Sequence, residues 1–385
     1  MQLRDVIASR IRAAGPLPFA EYMDLALYHP ELGYYARAGR RSGRAGDFFT
    51  SVDAGPLFGE LLAAQFAEMH RLAAPEGATK AAAFDLVEAG AGSGRLARSV
   101  LDHAAAAHPR FYSDLRLTLV ERSPAARAAQ DAALGPHAGR LAQAGAELPA
   151  RVRGIIFANE LLDALPVHSV VMTAAGLREV YVDNRDGHLA ETFGPVSPAV
   201  ETHVERFGIR LETGWRTEVS PAAVGWVTAA ARSLERGFLL LIDYGHEAHE
   251  LYSPTHAHGT LACYRRHRVE AAGDGRAAAP WLEEPGARDI TAHVDLTAVR
   301  TAAEEAGLET LGTLDQTYFQ LGLAGTGAAV DVAPGGAGLD PIRRRLAFKT
   351  LLAPGGLGST HKVLIFGKDV GRPGLRGFSF SRRVT

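Results

Sequence analysis

The stretch VEAGAGSGRLA, Val87 to Ala97, sets one carboxylate, Glu88, ahead of three glycines at alternate positions, Gly90, Gly92 and Gly94, and then runs into helix-forming residues. Glycines spaced so closely let a backbone come up against a ligand. A helix starting behind them turns free N–H groups and a partial positive charge toward that ligand, which suits a phosphate or a carboxylate. The unit therefore fits a dinucleotide or an amino-acid-bearing nucleoside. The dinucleotide fingerprint needs Gly or Ala at the sixth position of G-x-G-x-x-G, and counting from Gly90 that place holds Arg95. The nucleoside reading stands. Downstream, LTLVERSP ends a β-forming run at Glu121, 27 positions after Gly94, where a carboxylate at a neighbouring strand end can accept both hydroxyls of a ribose. LAQAGAELP then brings Gln143 or Ala144 against the adenine edge.

These residues need a sheet to hold them. From Phe84 onward, β-rich runs alternate with Ala-rich helical stretches, the pattern of a mainly parallel sheet flanked by helices. Strands are expected at Phe84 to Glu88, Arg116 to Glu121, Gly154 to Ala158, Phe238 to Asp243, Thr310 to Phe319 and Lys362 to Phe366. Between the third and fourth, VHSVVMTAAGLREVYVDNRDGHLAETF alternates like an antiparallel ribbon with turns at Ala-Gly and Asp-Gly, followed by a helical stretch Pro198 to Phe207. An insertion at a strand's carboxyl end builds a wall of a binding site. Ahead of the sheet, Leu3, Val6, Ile7 and Ile11 follow helical spacing, a Gly-, Tyr- and Phe-rich segment reads as a lid, and Gly55 to Leu72 reads as a helix. The expected organisation is an N-terminal helical and lid region over 1–80, a first core half over 81–166, an inserted substrate-binding subdomain over 167–232, a second core half over 233–370 and a flexible basic tail over 371–385. LAGTGAAVDVAPGGAG is expected to be a surface loop.

Composition narrows the classes. The 385 residues are 47% hydrophobic and 22% charged, ordinary for a packed globular chain. A net charge of -2 offers no field for gripping nucleic acid. The single cysteine, Cys263, excludes an internal disulfide and a Cys-rich metal site, and reads as a small buried hydrophobe. No segment has the apolar length of a membrane span, and the N-terminus lacks a signal-peptide run, so a cytoplasmic protein is expected. A homodimer is an allowed assembly.

The Glu88-x-Gly90-x-Gly92-x-Gly94 spacing resembles motif I of class I S-adenosylmethionine-dependent methyltransferases. Four further stretches are GDFFTSVDAGPLFGELLAAQ, FANELLDALPVH, LLIDYG, and GTLACYRRH with PGARDITAHVDL. Together and in this order they resemble the MidA family of that class. The resemblance implies a Rossmann-like α/β core of seven strands with the last strand antiparallel, an N-terminal lid region, an inserted subdomain, and S-adenosylmethionine as methyl donor. Eukaryotic members are mitochondrial protein arginine methyltransferases that act in assembly of respiratory complex I. In TSVDAGPLFG, Val52 and Asp53 stand where the family has Pro and Glu, which shortens the reach of that carboxylate.

Methyl transfer from a sulfonium is an in-line displacement that positioning accelerates, and it needs no metal. A guanidinium acceptor keeps its proton in water, so carboxylates must hold it and take up that charge. Asn159, Glu160 and Asp163 offer themselves at the carboxyl end of the third expected strand, and Asp243 and Tyr244 at the end of the next. Glu160 and Asp163 are read as orienting the acceptor, Asn159 as positioning donor or substrate, and Asp243 as a substrate contact. Thr50 and Ser51, with Gly46, Asp47 and Phe49, are expected to close over the cofactor, and YHPELGYY is expected to brace that lid with its aromatic rings buried and Tyr34 as a wall of the substrate channel. His267 and His293 are at no metal-ligand spacing and are read as structural. The acceptor is left as a protein arginine or a small molecule, and a cofactor-binding assembly protein without turnover is the rival class.

Overall fold

A computed structural model describes residues 2–36, 50–73, 83–265, 268–271, 279–325, 341–352 and 360–380. Gly46, Asp47 and Phe49 of the expected lid, His267, and most of the small-residue loop after Leu323 lie outside the described residues.

The central sheet is built from β1 (Phe84–Ala89), β2 (Leu115–Val120), β3 (Leu141–Gly145), β4 (Val152–Asn159), β5 (Leu234–His246), β6 (Glu309–Asp315) and β7 (His361–Lys368). Their order is β3-β2-β1-β4-β5-β7-β6, with a short strand Val294–Asp295 pairing beside the end of β5. β1 to β5 run parallel, while β7 is antiparallel to both β5 and β6. The order reverses between β1 and β4, which opens a crevice outside their carboxyl ends. Helices cover both faces, so the central strands β1, β4 and β5 are apolar on both sides, while the edge strands β3 and β6 are not. Along β5, Phe238, Leu240 and Ile242 face the layer that holds the helices Leu57–Ala73 and Arg95–Ala107, whereas Leu239 and Leu241 face the layer of Pro221–Ser233 and Leu296–Glu305.

Three departures concern the elements, the first being that β3, Leu141–Gly145, lies outside the runs expected as strands. Thr310 to Phe319 is not one strand: β6 stops at Asp315 and Gln316–Ala324 is helical. Gln316, Phe319, Gln320 and Leu323 recur at helical spacing and are all buried, so packing overrides the β preference of Thr317, Tyr318 and Phe319. The expected flexible tail does not begin at 371 either. Leu375 is buried, the Gly377 N–H donates to Gln65 Oε1 at 3.0 Å, and the Phe378 ring meets Phe319 edge-on.

The inserted segment forms an antiparallel sheet of His168–Thr173, Gly176–Arg185, His188–Gly194 and Arg216–Val219, and the helix Pro198–Phe207 follows its hairpin. The Asp186-Gly187 turn has φ of 51° and 83° at its two central residues, the positive pair that a two-residue hairpin loop with strand-matching twist requires. This sheet also takes in Leu17–Pro18, which pairs with Tyr181 and Val182. The N-terminal region and the insertion thus share backbone hydrogen bonds. They share a core as well: Leu3, Ile7 and Ile11 of the helix Leu3–Ala14 pack with Phe19, Tyr22, Val182, Cys263 and Trp281. The Tyr22 hydroxyl donates to the Trp281 carbonyl within it.

Candidate active site

The glycine loop leaves β1 and enters the helix Arg95–Ala107 with Gly90, Gly92 and Gly94 at φ of 70°, 52° and 82°. Side chains pay for such angles, which is why glycine stands there. A Cβ on Gly92 would meet no protein atom within 4 Å, so the loop presents bare backbone to open space. The loop is pinned from β2: the Ala91 N–H donates to the Val120 carbonyl at 3.1 Å, and the Gln130 amide donates to the Gly92 carbonyl at 2.9 Å.

Glu121 stands at the end of β2 as expected. Its Oε2 accepts the Gly92 N–H at 2.9 Å and its Oε1 accepts the Ser123 N–H at 2.7 Å, so the carboxylate joins the loop after β1 to the end of β2. Gln143 and Ala144 lie exposed on β3, whose Gly145 carbonyl accepts the Glu121 N–H at 2.8 Å. Glu88, which the sequence reads as cofactor-binding, lies beneath the loop. It is buried, and its Oε2 accepts the Ala97 N–H at 3.0 Å inside the first helical turn. Burial pushes its carboxyl up to about 8, against the lowering effect of that hydrogen bond.

Thr50 and Ser51 also serve the scaffold. The Thr50 N–H and hydroxyl both donate to Asp53 Oδ2, at 3.1 and 2.9 Å, and Ser51, fully buried, accepts from the Gln316 amide at 2.9 Å. Asp53 reaches the far side after all, accepting from Arg95 at 2.9 Å. The residue that spoils the dinucleotide template therefore ties the N-terminal segment to the glycine loop.

Across the switch point, β4 ends in Asn159, whose Oδ1 is buried without a hydrogen-bond partner, while its amide nitrogen donates to Glu160 Oε1 at 3.2 Å. Glu160 adopts φ of 52°, uncommon for a side-chain-bearing residue, and its N–H donates to the Ile242 carbonyl of β5 at 2.8 Å. Asp243, read in the sequence as a substrate contact, is held by backbone N–H groups. Its Oδ2 accepts the Leu161 and Leu162 N–H groups at 3.1 and 2.7 Å and its Oδ1 accepts the Tyr244 N–H at 2.9 Å. Three donors on a carboxylate leave it little to offer a ligand, and burial still pushes its carboxyl up to about 7. Asp163 is buried as well. Burial first, then the charges of Asp243, Glu160 and Asp289, hold its proton far above the usual carboxylate range.

Two residues that sequence reasoning passed over complete this edge. His361, the first residue of β7, is fully buried and brings Nε2 to 3.5 Å from Glu160 Oε1, with its ring 3.8 Å from that of Tyr244. Asp289 accepts from the Tyr35 hydroxyl at 2.9 Å, and the Tyr28 hydroxyl donates to the Ala164 carbonyl at 3.0 Å. Tyr34, buried, and Tyr35 thus belong to a brace, as expected of YHPELGYY. His361 lies in a stretch with no motif of its own, and only the pairing of β7 with β5 brings it here.

The crevice suits an amino-acid-bearing nucleoside. Bare backbone at Gly92 faces open space, a carboxylate stands on the neighbouring strand, and the acceptor atom of Asn159 awaits a donor. Residues 61–314 match a family model described as "Putative S-adenosyl-L-methionine-dependent methyltransferase". The mitochondrial protein arginine methyltransferase NDUFAF7 homolog of Drosophila melanogaster is 30% identical, across 81% of this chain and 72% of its own. Protein arginine methyltransferase NDUFAF7 of Bos taurus is 30% identical, across 80% and 70%. A Burkholderia thailandensis protein crystallised with S-adenosyl-homocysteine superposes with a TM-score of 0.83 at 31% identity, over 98% of this chain and 94% of that one. With two thirds of its length under the family model and a class I methyltransferase sheet beneath the crevice, the chain belongs to this family of S-adenosylmethionine-dependent methyltransferases.

Proposed function

We propose that the protein methylates an arginine side chain of a protein substrate. The observation that carries this reading is the gathering of Glu160, Asp243 and Asp289 around the buried Asp163 at one edge of the sheet. An acidic edge of this kind draws a guanidinium and repays its desolvation. The relatives named above as protein arginine methyltransferases support the same acceptor.

In this reading Gly90, Gly92 and Gly94 take the amino-acid end of the donor on backbone, Glu121 takes its ribose, and Gln143 and Ala144 flank its base. Asn159 Oδ1 accepts from the donor's ammonium or from the acceptor. Glu88, Thr50 and Ser51 act on the donor indirectly, through the loop and the segment they hold. S-adenosylmethionine supplies an electrophilic methyl group on a sulfonium. Glu160 and Asp163 would orient the guanidinium, whose charge favours the ionised form of Asp163 once bound; that carboxylate would then take the guanidinium proton as the N–C bond forms, the S–C bond breaks and S-adenosylhomocysteine leaves. An acid whose proton affinity is raised by burial holds that proton better than an exposed one. Asp243 positions the turn that carries both. The inserted sheet and the N-terminal aromatic brace form the walls against which a peptide would lie.

Among the described residues no helix is long and apolar enough to cross a membrane. The relatives are named mitochondrial, so the cytoplasmic placement expected from the N-terminus has no support from them and awaits fractionation of host cells.

Incubation with methyl-labelled donor and a lysate of the host, followed by mass spectrometry, tests the acceptor. Label on arginine of one or a few proteins is the expected result. Label confined to small molecules would replace the acceptor, and donor binding without label on anything would favour an assembly protein.

A further inference from the structure

Outside the crevice, three histidines from separate segments meet. His246 closes β5, His256 ends the single turn Pro254–His256, and His293 directly precedes the strand that pairs with Gly245 and His246. One ring nitrogen of each lies within 4.8 Å of the other two. His246 Nε2 is 3.1 Å from His293 Nδ1, and the ring centroids of His246 lie 4.6 Å from His256 and 5.0 Å from His293. We infer that His246, His256 and His293 bind one divalent transition-metal cation of the zinc class, a site apart from the methyl-transfer chemistry.

The surroundings are those of ligands held in place. The nitrogens on the far side of two rings are already engaged. His256 Nδ1 donates to the Glu250 carbonyl at 2.8 Å, and His246 Nδ1 faces Glu250 Oε2 at 3.4 Å. A ligating histidine typically gives its other N–H to a carbonyl or carboxylate, which sets the tautomer and aims the free lone pair. For His256 this leaves Nε2 as the nitrogen turned to the cluster. The turn itself is fixed, since the Ser253 hydroxyl donates to the same Glu250 carbonyl at 2.7 Å and the Ala248 N–H donates to Thr297 Oγ1 at 2.9 Å.

Imidazole is a preferred ligand for zinc, cobalt and nickel, and three histidines with a fourth position left to water make a complete tetrahedral set. Ligand nitrogens about 2.0–2.1 Å from such an ion stand about 3.3 Å from one another, close to the separation His246 and His293 already have. The corresponding nitrogen of His256 lies within 4.8 Å of both. A cation here would tie the end of β5 to the 254–259 turn and to the strand after His293. It would do so behind Tyr244, whose ring stacks 6.5 Å from that of His293.

Tag-free protein, stripped with chelator, is titrated with Co2+ followed by its visible d–d absorption, and with Zn2+ by calorimetry. One equivalent per chain with a tetrahedral cobalt spectrum is expected, together with a rise in Tm on adding Zn2+. His256→Gln and His293→Gln are each expected to weaken binding at least tenfold and to abolish that rise. His256 is half-buried on a surface turn, so its variant reports even where His293→Gln fails to fold, and retained binding of S-adenosyl-homocysteine verifies its folded state. No cobalt uptake by the wild type, or uptake that His256→Gln leaves unchanged, overturns the site. The latter result would place the ion among others of the chain's 15 histidines.

Discussion

Glu88→Gln separates the scaffold role of this residue from a charge role. Glu88 is 5% exposed and its Oε2 takes the Ala97 N–H at the start of the helix behind the glycine loop. Its carboxyl moves from an ordinary 4.5 to about 8, with burial the main cause. An acid whose folded-state value is raised favours the fold while protonated. Its contribution is complete below pH 4.5 and is lost as pH rises through about 8. At about 1.36 kcal/mol per pH unit, the whole window is worth on the order of 5 kcal/mol, an upper figure because the buried site relaxes. Glutamine keeps the shape and the acceptor oxygen and never ionises. Urea unfolding of both proteins without donor, at steps from pH 5 to pH 9, gives the comparison. Asp163 and Asp243 cause a fall with pH common to both, so the difference isolates Glu88. The variant is expected to gain on the wild type by a few kcal/mol between pH 5 and 8 and no further above. Curves that stay parallel would show that Glu88 is not held protonated, and the account of the loop anchor would fail.

Four other substitutions divide the crevice. Glu121→Ala removes the acceptor of the Gly92 and Ser123 N–H groups, and at about 1.5–3 kcal/mol for a hydrogen bond to a charged group the donor Kd should rise about 10- to 100-fold by calorimetry. Asp163→Asn should leave that Kd within about twofold and cut single-turnover transfer by about 100-fold or more; exchanged phenotypes would invalidate the division. Gly92→Ala, at φ 52° with open space where its Cβ would stand, should cost about 1–2 kcal/mol of stability by urea and disproportionately weaken donor binding. Asp243→Asn turns an N–H2 toward backbone N–H groups, which should cost about 1–3 kcal/mol in urea and lower kcat more than it raises the donor Kd.

The centre of the sheet was legible because its strands are buried on both faces and read as apolar runs between Ala-rich helices, whereas the exposed edge strand β3 carries no such run. The glycine loop and Glu121 were legible because backbone approach and a strand-end acid leave local marks. Other features depend on distant contacts. Thr317, Tyr318 and Phe319 read as strand from their own preferences, yet Phe319 and Leu323 find their partners on a helix from the other end of the chain. His246, His256 and His293 have no motif spacing, since a β-bridge and a fixed turn, and no periodicity, bring them together. Asp243 shows the same limit in the site itself. Its identity and strand end were readable, but the direction of its carboxylate is set by amides some 80 positions away.

That direction changes what the acidic edge is. Glu160 holds φ of 52°, a strained position that persists only where neighbours enforce it. The enforcement comes from β5: the Ile242 carbonyl takes the Glu160 N–H, and Asp243 takes the next two, Leu161 and Leu162. β5 therefore dictates the turn that presents Glu160 and Asp163, and His361 on β7 sets the far side of Glu160. Glu160 and Asp163, the acids proposed to meet the acceptor, stand in the turn after β4, but their geometry is set by its neighbours. Substitutions on β5 and β7 that touch no substrate should then alter transfer while leaving the donor half, built on β1 and β2, as it was.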